Sequence, residues 1–146
     1  MPDRYFEEYE VGQRWVSRGR TVTEADVVNF SGLSADFFPL HVDQEFAAQT
    51  RFGQRIAHGF LVMSMATGIV PADPEKVEAL YGIDKMRFVR PVFIGDTVHI
   101  EMEVTGIKER TDNSGVIDFD FTVVNHRGEV VIANLYRLLM RKRPTS

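Results

Sequence analysis

Two hydrophobic periods divide this chain. From position 98 onward apolar and polar residues alternate: Val98, Ile100, Met102 and Val104 interleave with His99, Glu101 and Glu103, and Ile117, Phe119, Phe121 and Val123 interleave with Asp118, Asp120 and Thr122. A period of two is that of a strand with one buried and one wet face. Asp112-Asn113-Ser114-Gly115 and Asn125-His126-Arg127-Gly128 supply turn chemistry around the second run, which predicts strands joined by tight connections. The last run, from Glu129 to Arg141, is apolar on both faces through VVIANLYRLLM. That predicts a strand lying centrally in the sheet.

The first half reads differently. Residues 5 to 12 mix aromatics with acids and end in Gly12, a segment pinned on a sheet by its rings, and Arg14 to Val22 reads as a first strand weakened by Gly19. Thr23-Glu24-Ala25-Asp26 is a capping box with Asp in its last place, so a short helix follows with Val27, Val28 and Phe30 on its buried side, stopped at Ser31-Gly32. Asp43 is placed to cap a second short helix, QEFAAQT, with Phe46 and Ala47 facing inward. Gly59 opens FLVMSMATGIV, apolar on every side apart from Ser64 and Thr67 and ended by Pro71. An all-round apolar helix belongs inside a protein, and this one falls short of the ~20 residues that cross a bilayer. Asp73-Pro74 then has the order that starts a helix, which predicts one or two surface turns over PEKVEAL. One strand, several helices and then a run of strands define an α+β fold, with antiparallel strands around one buried helix as its simplest arrangement.

A chain of 146 residues is expected to be one domain, residues 1–146. The net charge of -4 argues against nucleic acid as the main partner, although a local Arg cluster binds phosphate even on an acidic protein. With no cysteine there is no disulfide frame, thiol nucleophile or Cys-ligated zinc. MPDRYFEEYE lacks the apolar core of a signal peptide, so the cytoplasm is the expected location.

Candidate chemistry gathers on the elbow before the apolar helix. Asp36 and His41 flank Pro39, which pushes Phe38 towards an extended backbone, so the two side chains meet across a loop rather than along a helical turn. Taken singly, Asp36 reads as a turn former and His41 as a loop histidine. Their joint spacing with Gly59, whose amide starts the apolar helix, favours an acid-base pair beside an anion-stabilising N-H. His58 reads as a structural hydrogen-bonder, Asp43 as a cap, and His99 and His126 as exposed residues without a role. A set of His41, Asp43 and His58 for iron is disfavoured because an apolar helix follows at once.

Asp36-x-x-Pro39-x-His41-x-Asp43, followed by Ala47, Thr50, Phe52, Ile56 and Ala57-His58-Gly59, resembles the signature of the MaoC-like dehydratases, (R)-specific enoyl-CoA hydratases of the hot-dog fold. Phe88-x-x-Pro91-Val92-x-x-Gly95-Asp96-x-Val98 resembles the family's later strand-turn-strand signature. Phe38 stands where many relatives have Asn. The resemblance implies a sheet wrapped round the central helix and reversible hydration of a trans-2-enoyl-CoA to the (R)-3-hydroxyacyl-CoA. Asp36 and His41 would then activate water, and the Gly59 amide would meet the charge on the thioester oxygen. It also implies a homodimer, or a higher homo-oligomer, with no cofactor or metal beyond the coenzyme A thioester substrate. Phe38, Phe60 and Met63 are candidates for the acyl wall, Thr67 for a polar contact in the pocket, and Arg55, Arg87 and Arg90 for the coenzyme's phosphates. The rival readings are a hot-dog acyl-CoA thioesterase and a non-catalytic acyl-CoA binding module.

Overall fold

The computed structural model describes residues 2–145. A 3-10 turn (Phe6–Glu8) leads into two short strands, β1 (Arg14–Val16) and β2 (Arg20–Thr21), and then helices α1 (Glu24–Ser34), α2 (Pro39–Val42), α3 (Gln44–Ala48) and α4 (Gly59–Ile69). Four long strands follow: β3 (Val77–Phe88), β4 (Thr97–Glu109), β5 (Ser114–Asn125) and β6 (Val130–Arg141). All pair antiparallel in one sheet of order β1-β4-β5-β6-β3, with β2 also on β4.

The period of two sets which face of the sheet is buried. Ile100, Met102, Phe119, Phe121, Val123, Tyr136, Leu138 and Met140 point inward and form one cluster with Leu61, Val62, Met63, Met65, Ala66 and Ile69 of α4. Burying side chains of this size contributes about 1.5–3 kcal/mol each, so the packing of α4 on the sheet dominates the stability of the fold. The helix is not wrapped on every side, however. Phe60 and Ser64, one turn apart, and Gly68, a further turn on, lie exposed along a stripe away from the sheet. Among the described residues, no helix is long and apolar enough to cross a membrane.

Several local expectations are corrected. The strand foreseen over positions 14–22 is broken in two, because at Ser17 the hydroxyl replaces a backbone acceptor for the Ile100 amide (2.8 Å) and ends the regular ladder. The Thr23 capping box is present, but α1 runs past Ser31-Gly32 to Ser34 and ends at Ala35 in the left-handed conformation (φ 59°). Ser31 faces inward one turn after Val27, whereas Val28 is rotated out and exposed. In α3 Ala47 is buried, but Phe46 is 43% exposed. The helix expected over PEKVEAL is a single turn capped by Asp73, whose carboxylate accepts from the Glu75 amide at 2.9 Å. Beyond it, pairing of Val77 with Met140 and Leu80 with Leu138 draws the chain into β3, a case of tertiary pairing overriding a local start signal. The last strand does lie inside the sheet as its pattern predicts, β6 being paired with β5 on one edge and β3 on the other.

One tight turn connects this sheet to the elbow. In the turn before β4, Gly95 takes a positive φ of 97°, and the Asp96 carboxylate accepts from the Phe93 amide at 3.0 Å and from both Arg127 Nη atoms at 3.1 and 3.2 Å. The strand pair is thereby joined to the segment before α4, because the Ala57 amide donates to the Val92 carbonyl at 2.7 Å and Ile56 bridges Phe93. Burial alone would raise the Asp96 carboxyl, but the Arg127 hydrogen bonds and the Phe93 amide outweigh it and hold it below the usual carboxylate range. The folded carboxyl thus titrates below its unfolded value, so its contribution is present above the unfolded pKa and is lost as pH falls through the folded one. Asp96→Asn is expected to cost about 1–3 kcal/mol near neutral pH. The gap to wild type should close as pH drops below about 4, as followed by urea unfolding across that range.

Candidate active site

The elbow is assembled by short polar links. Ser34 Oγ accepts from the Asp36 amide at 3.2 Å, and the Asp36 carboxylate accepts from the Phe38 amide at 3.2 Å, an Asx turn that leaves Phe38 extended (φ -56°, ψ 132°) ahead of Pro39 at the first position of α2. α2 carries His41, and Asp43 caps α3 by accepting from the Phe46 amide at 2.9 Å. His41 Nδ1 donates to the Ile56 carbonyl at 2.8 Å. A carbonyl only accepts, so this bond places the proton on Nδ1 and leaves the Nε2 lone pair available.

His58, directly before α4, is 2% exposed. Its Nε2 donates to the Asp36 carbonyl at 3.0 Å and lies 3.2 Å from Ser31 Oγ on α1. Its ring stacks on His41 with centroids 3.9 Å apart and packs at 4.9 Å against Phe30. Burial holds the His58 pKa below the ordinary histidine value, the bond to the Asp36 carbonyl opposes this, and the nearby His41 adds to the depression. Facing a carbonyl through Nε2, with Nδ1 unpartnered among the described residues, the ring is assigned the Nε2-H tautomer.

The loop does bring Asp36 and His41 together: a carboxylate oxygen of Asp36 and one ring nitrogen each of His41 and His58 lie within 4.8 Å of one another. These are one carboxylate and two histidines, but not the set weighed for iron, since Asp43 is a helix cap. Within the group, His41 Nδ1 and His58 Nε2 are bonded to backbone carbonyls, and the two rings are stacked at an interplanar angle of 28°.

Beside His41 opens a cleft of ≈ 270 Å³ whose walls include Gly59, Phe60, Val62, Phe88 and Ile132, with Arg51 and Arg90 among its lining. The Gly59 amide belongs to the first turn of α4, where N-H groups lack acceptors within the helix and the helix dipole is positive. Of the side chains expected to form the acyl wall, the polar contact and the phosphate site, Phe60 and Arg90 line the cleft and the rest do not, and Asp36 stands behind His41 outside its lining. Phe38 is half-exposed and meets His41 and Phe46 edge-on at 6.0 and 6.4 Å. Met63 is buried in the core with Asn134 Nδ2 at 3.8 Å from its sulfur. Thr67 donates to the Ser64 carbonyl of its own helix at 2.9 Å. Arg55 is taken up by a two-pronged pair with Glu24 at 2.6 and 2.9 Å, and Arg87 lies exposed on β3.

The roles of three residues of the site escape sequence reading. Ser31 reads there as a helix stop, although a serine in mid-helix without a stop is a sign of an inward polar contact. Ile56 and Phe88 stand in the two signatures quoted above, but their parts here, a backbone carbonyl for His41 and a ring against Gly59, leave no local signal.

This sheet-and-helix arrangement is the hot-dog fold. A Mycobacterium tuberculosis protein described as a double hot-dog fold superimposes on 99% of the chain, with a TM-score of 0.88 at 20% identity over 46% of its own length. The family described as MaoC like domain matches residues 8–125, and the chain belongs to that family. Among curated relatives it is 43% identical to Protein MaoC of Klebsiella aerogenes over 100 residues, 68% of this chain but only 30% of that protein. It is also 38% identical to the (R)-specific enoyl-CoA hydratase of Rhodospirillum rubrum, covering 70% of this chain and 71% of that one. A solved monoamine oxidase regulatory protein from Archaeoglobus fulgius superimposes with a TM-score of 0.91 at 45% identity, covering 97% of both chains.

The neighbourhood of Gly59 is tighter than an open pocket. A Cβ built there would stand 2.5 Å from Phe88 Cε1, so a side chain strikes the phenyl ring before it reaches the space for a ligand oxygen. Gly59→Ala is expected to destabilise the protein by about 1–3 kcal/mol through overpacking. Most of that loss should be absent when Phe88→Ala is already in place. A double-mutant cycle of unfolding free energies measures this coupling.

Proposed function

We propose that the protein is a hydro-lyase that reversibly adds water to a trans-2-enoyl-CoA, giving the (R)-3-hydroxyacyl-CoA. The observation that carries this reading is the approach of the Asp36 carboxylate to the His41 imidazole, which itself lines one end of an apolar cleft that also contains Gly59, the first residue of α4. Hydration needs a water held at C3, acceptance of one of its protons, a proton for C2 and a donor for the charge that develops on the thioester oxygen. The free Nε2 of His41 and the Asp36 carboxylate hold the water between them. Hydroxide adds to C3, the proton it leaves behind is returned through the pair to C2, and the Gly59 N-H meets the thioester oxygen. Family membership and the hydratase among the relatives support the same reaction.

The coenzyme's phosphates fall to Arg51 and Arg90 at the cleft rather than to Arg55, whose charge is neutralised by Glu24. The acyl chain lies among Phe60, Val62, Phe88 and Ile132. The proposed assembly is a homodimer. The outer edge of β3 has no partner strand among the described residues, and it exposes Leu80, Tyr81 and Phe88. Unpaired edges of that length are usually covered. Sedimentation at about micromolar concentration should find no principal species at the 16.7 kDa of one chain.

Loss of enoyl-thioester absorbance in wild type, Asp36→Asn, His41→Ala and the double variant tests the reaction. Each single change should lower turnover by ~10²- to 10⁴-fold, and the double change should cost little more, because groups acting as a unit are not additive. Chiral analysis should return the (R)-3-hydroxyacyl product. Free thiol as the main product would point instead to a thioesterase, binding without turnover to an acyl-CoA carrier module, and an unaffected His41→Ala rate would remove the mechanism.

A further inference from the structure

His58 takes no part in the chemistry described above, yet its placement is costly. An imidazole that is 2% exposed is buried with its Nδ1 lacking a hydrogen-bond partner among the described residues. Leaving such an atom desolvated costs about 1–3 kcal/mol, which a phenyl ring of similar size would not incur. What the imidazole does provide is a single N-H, and that N-H reaches the carbonyl of Asp36. The same ring lies flat against His41. One residue thus touches both members of the pair, one through its main chain and the other through its ring face. Phe30 and Ser31 of α1 hold it from behind.

We infer that His58 is a positioning residue: its neutral Nε2-H tethers the backbone at Asp36 while its ring braces His41, and together these hold the carboxylate and the imidazole at the separation that one water spans. This rests on the hydratase reading for its kinetic consequence, but not for its structural one. The elbow on its own is poorly anchored. Asp36, Phe37 and Phe38 are all exposed, and among the described residues Asp36 is otherwise held only through Ser34 and its own Asx turn. Removing the tether therefore frees the carboxylate without disturbing the core. The titratable groups facing His58 are Asp36 from the elbow and His41 from α2, and α1 contributes only the Ser31 hydroxyl and the Phe30 ring.

Two substitutions separate tether from brace. His58→Phe keeps a flat ring against His41 and removes the N-H, while His58→Gln places an amide N-H where Nε2 stood and removes the ring. For His58→Phe we expect a melting temperature close to that of wild type, because relief of the unpartnered Nδ1 is offset by loss of the Ser31 contact, and a kcat lowered by ~10²-fold, the scale of a small misplacement of reacting groups. KM should stay close to the wild-type value, because the cleft itself is untouched. His58→Gln should recover much of the lost kcat. Hydrogen exchange of the amides at positions 36–42 should accelerate in His58→Phe and return towards wild type in His58→Gln, with the sheet unaffected. This exchange measurement needs no substrate, so it decides the tether even if wild type proves not to hydrate enoyl-CoA. A His58→Phe protein that exchanges its elbow amides at the wild-type rate overturns the inference. So does one that loses melting temperature and kcat alike without recovery in His58→Gln, which would mark His58 as a packing residue.

Discussion

The requirement that α4 bury its apolar face orders the rest of the molecule. Leu61, Val62, Met65, Ala66 and Ile69 repeat at helical spacing and are covered by the inward side chains of β4, β5 and β6. A helix fixed in this way presents its N-terminus at a defined place, with Gly59 in its first turn and His58 just before it. The dipole of a helix acts only near its end. Any chemistry that uses it must therefore be brought there, and that task falls to the elbow.

The elbow is brought to α4 almost wholly by polar links to backbone. His41 reaches the carbonyl of Ile56, His58 reaches the carbonyl of Asp36, and Ala57 in turn donates to the carbonyl of Val92 beside the Asp96 turn. The chain from Arg127 through Asp96, the turn over 93–96 and segment 56–58 to His41 is thus continuous, and each step is a hydrogen bond rather than an apolar contact. Net hydrogen bonds stabilise modestly, by about 0.5–1.5 kcal/mol each, so this part of the molecule is held for direction more than for stability. Such a division suits a site that needs two groups aimed at one water. A rigid apolar helix supplies the platform, and a thin polar scaffold supplies the aim.

Much of the fold was legible because burial writes a period into the sequence. The strands β4 and β5 and the apolar helix stand where their patterns put them, and the capping box at Thr23 forms as read. Two of the misses share a physical cause, the preference of tertiary contacts over local signals. PEKVEAL carries a helix start, yet pairing of Val77 and Leu80 with β6 takes most of it as strand. Ser31 carries a stop signal, yet its hydroxyl is enlisted by His58 from 27 positions away. For the site, the approach of Asp36 and His41 across the proline was readable from their spacing. The assignment of cations was not, because only the fold reveals that Glu24 occupies Arg55 while Arg51 and Arg90 line the cleft.

The open side of α4 and the open edge of β3 are one feature rather than two. Phe60 on the helix meets Phe88 on the strand edge-on, at 5.9 Å, and Phe88 in turn crowds the α-carbon of Gly59. The same phenyl ring therefore belongs to the unpaired edge, to the exposed stripe of the helix and to the wall of the cleft beside the first amide of α4. A wall that is itself half-exposed does little to exclude water. Electrostatic stabilisation by a single amide is far stronger where water is kept out. A strand added along β3 would cover Phe88, hold its ring against Gly59 and dry the cleft in one step. On the proposed reading, closure of the sheet edge and completion of the site would be the same event, because Phe88 belongs to both.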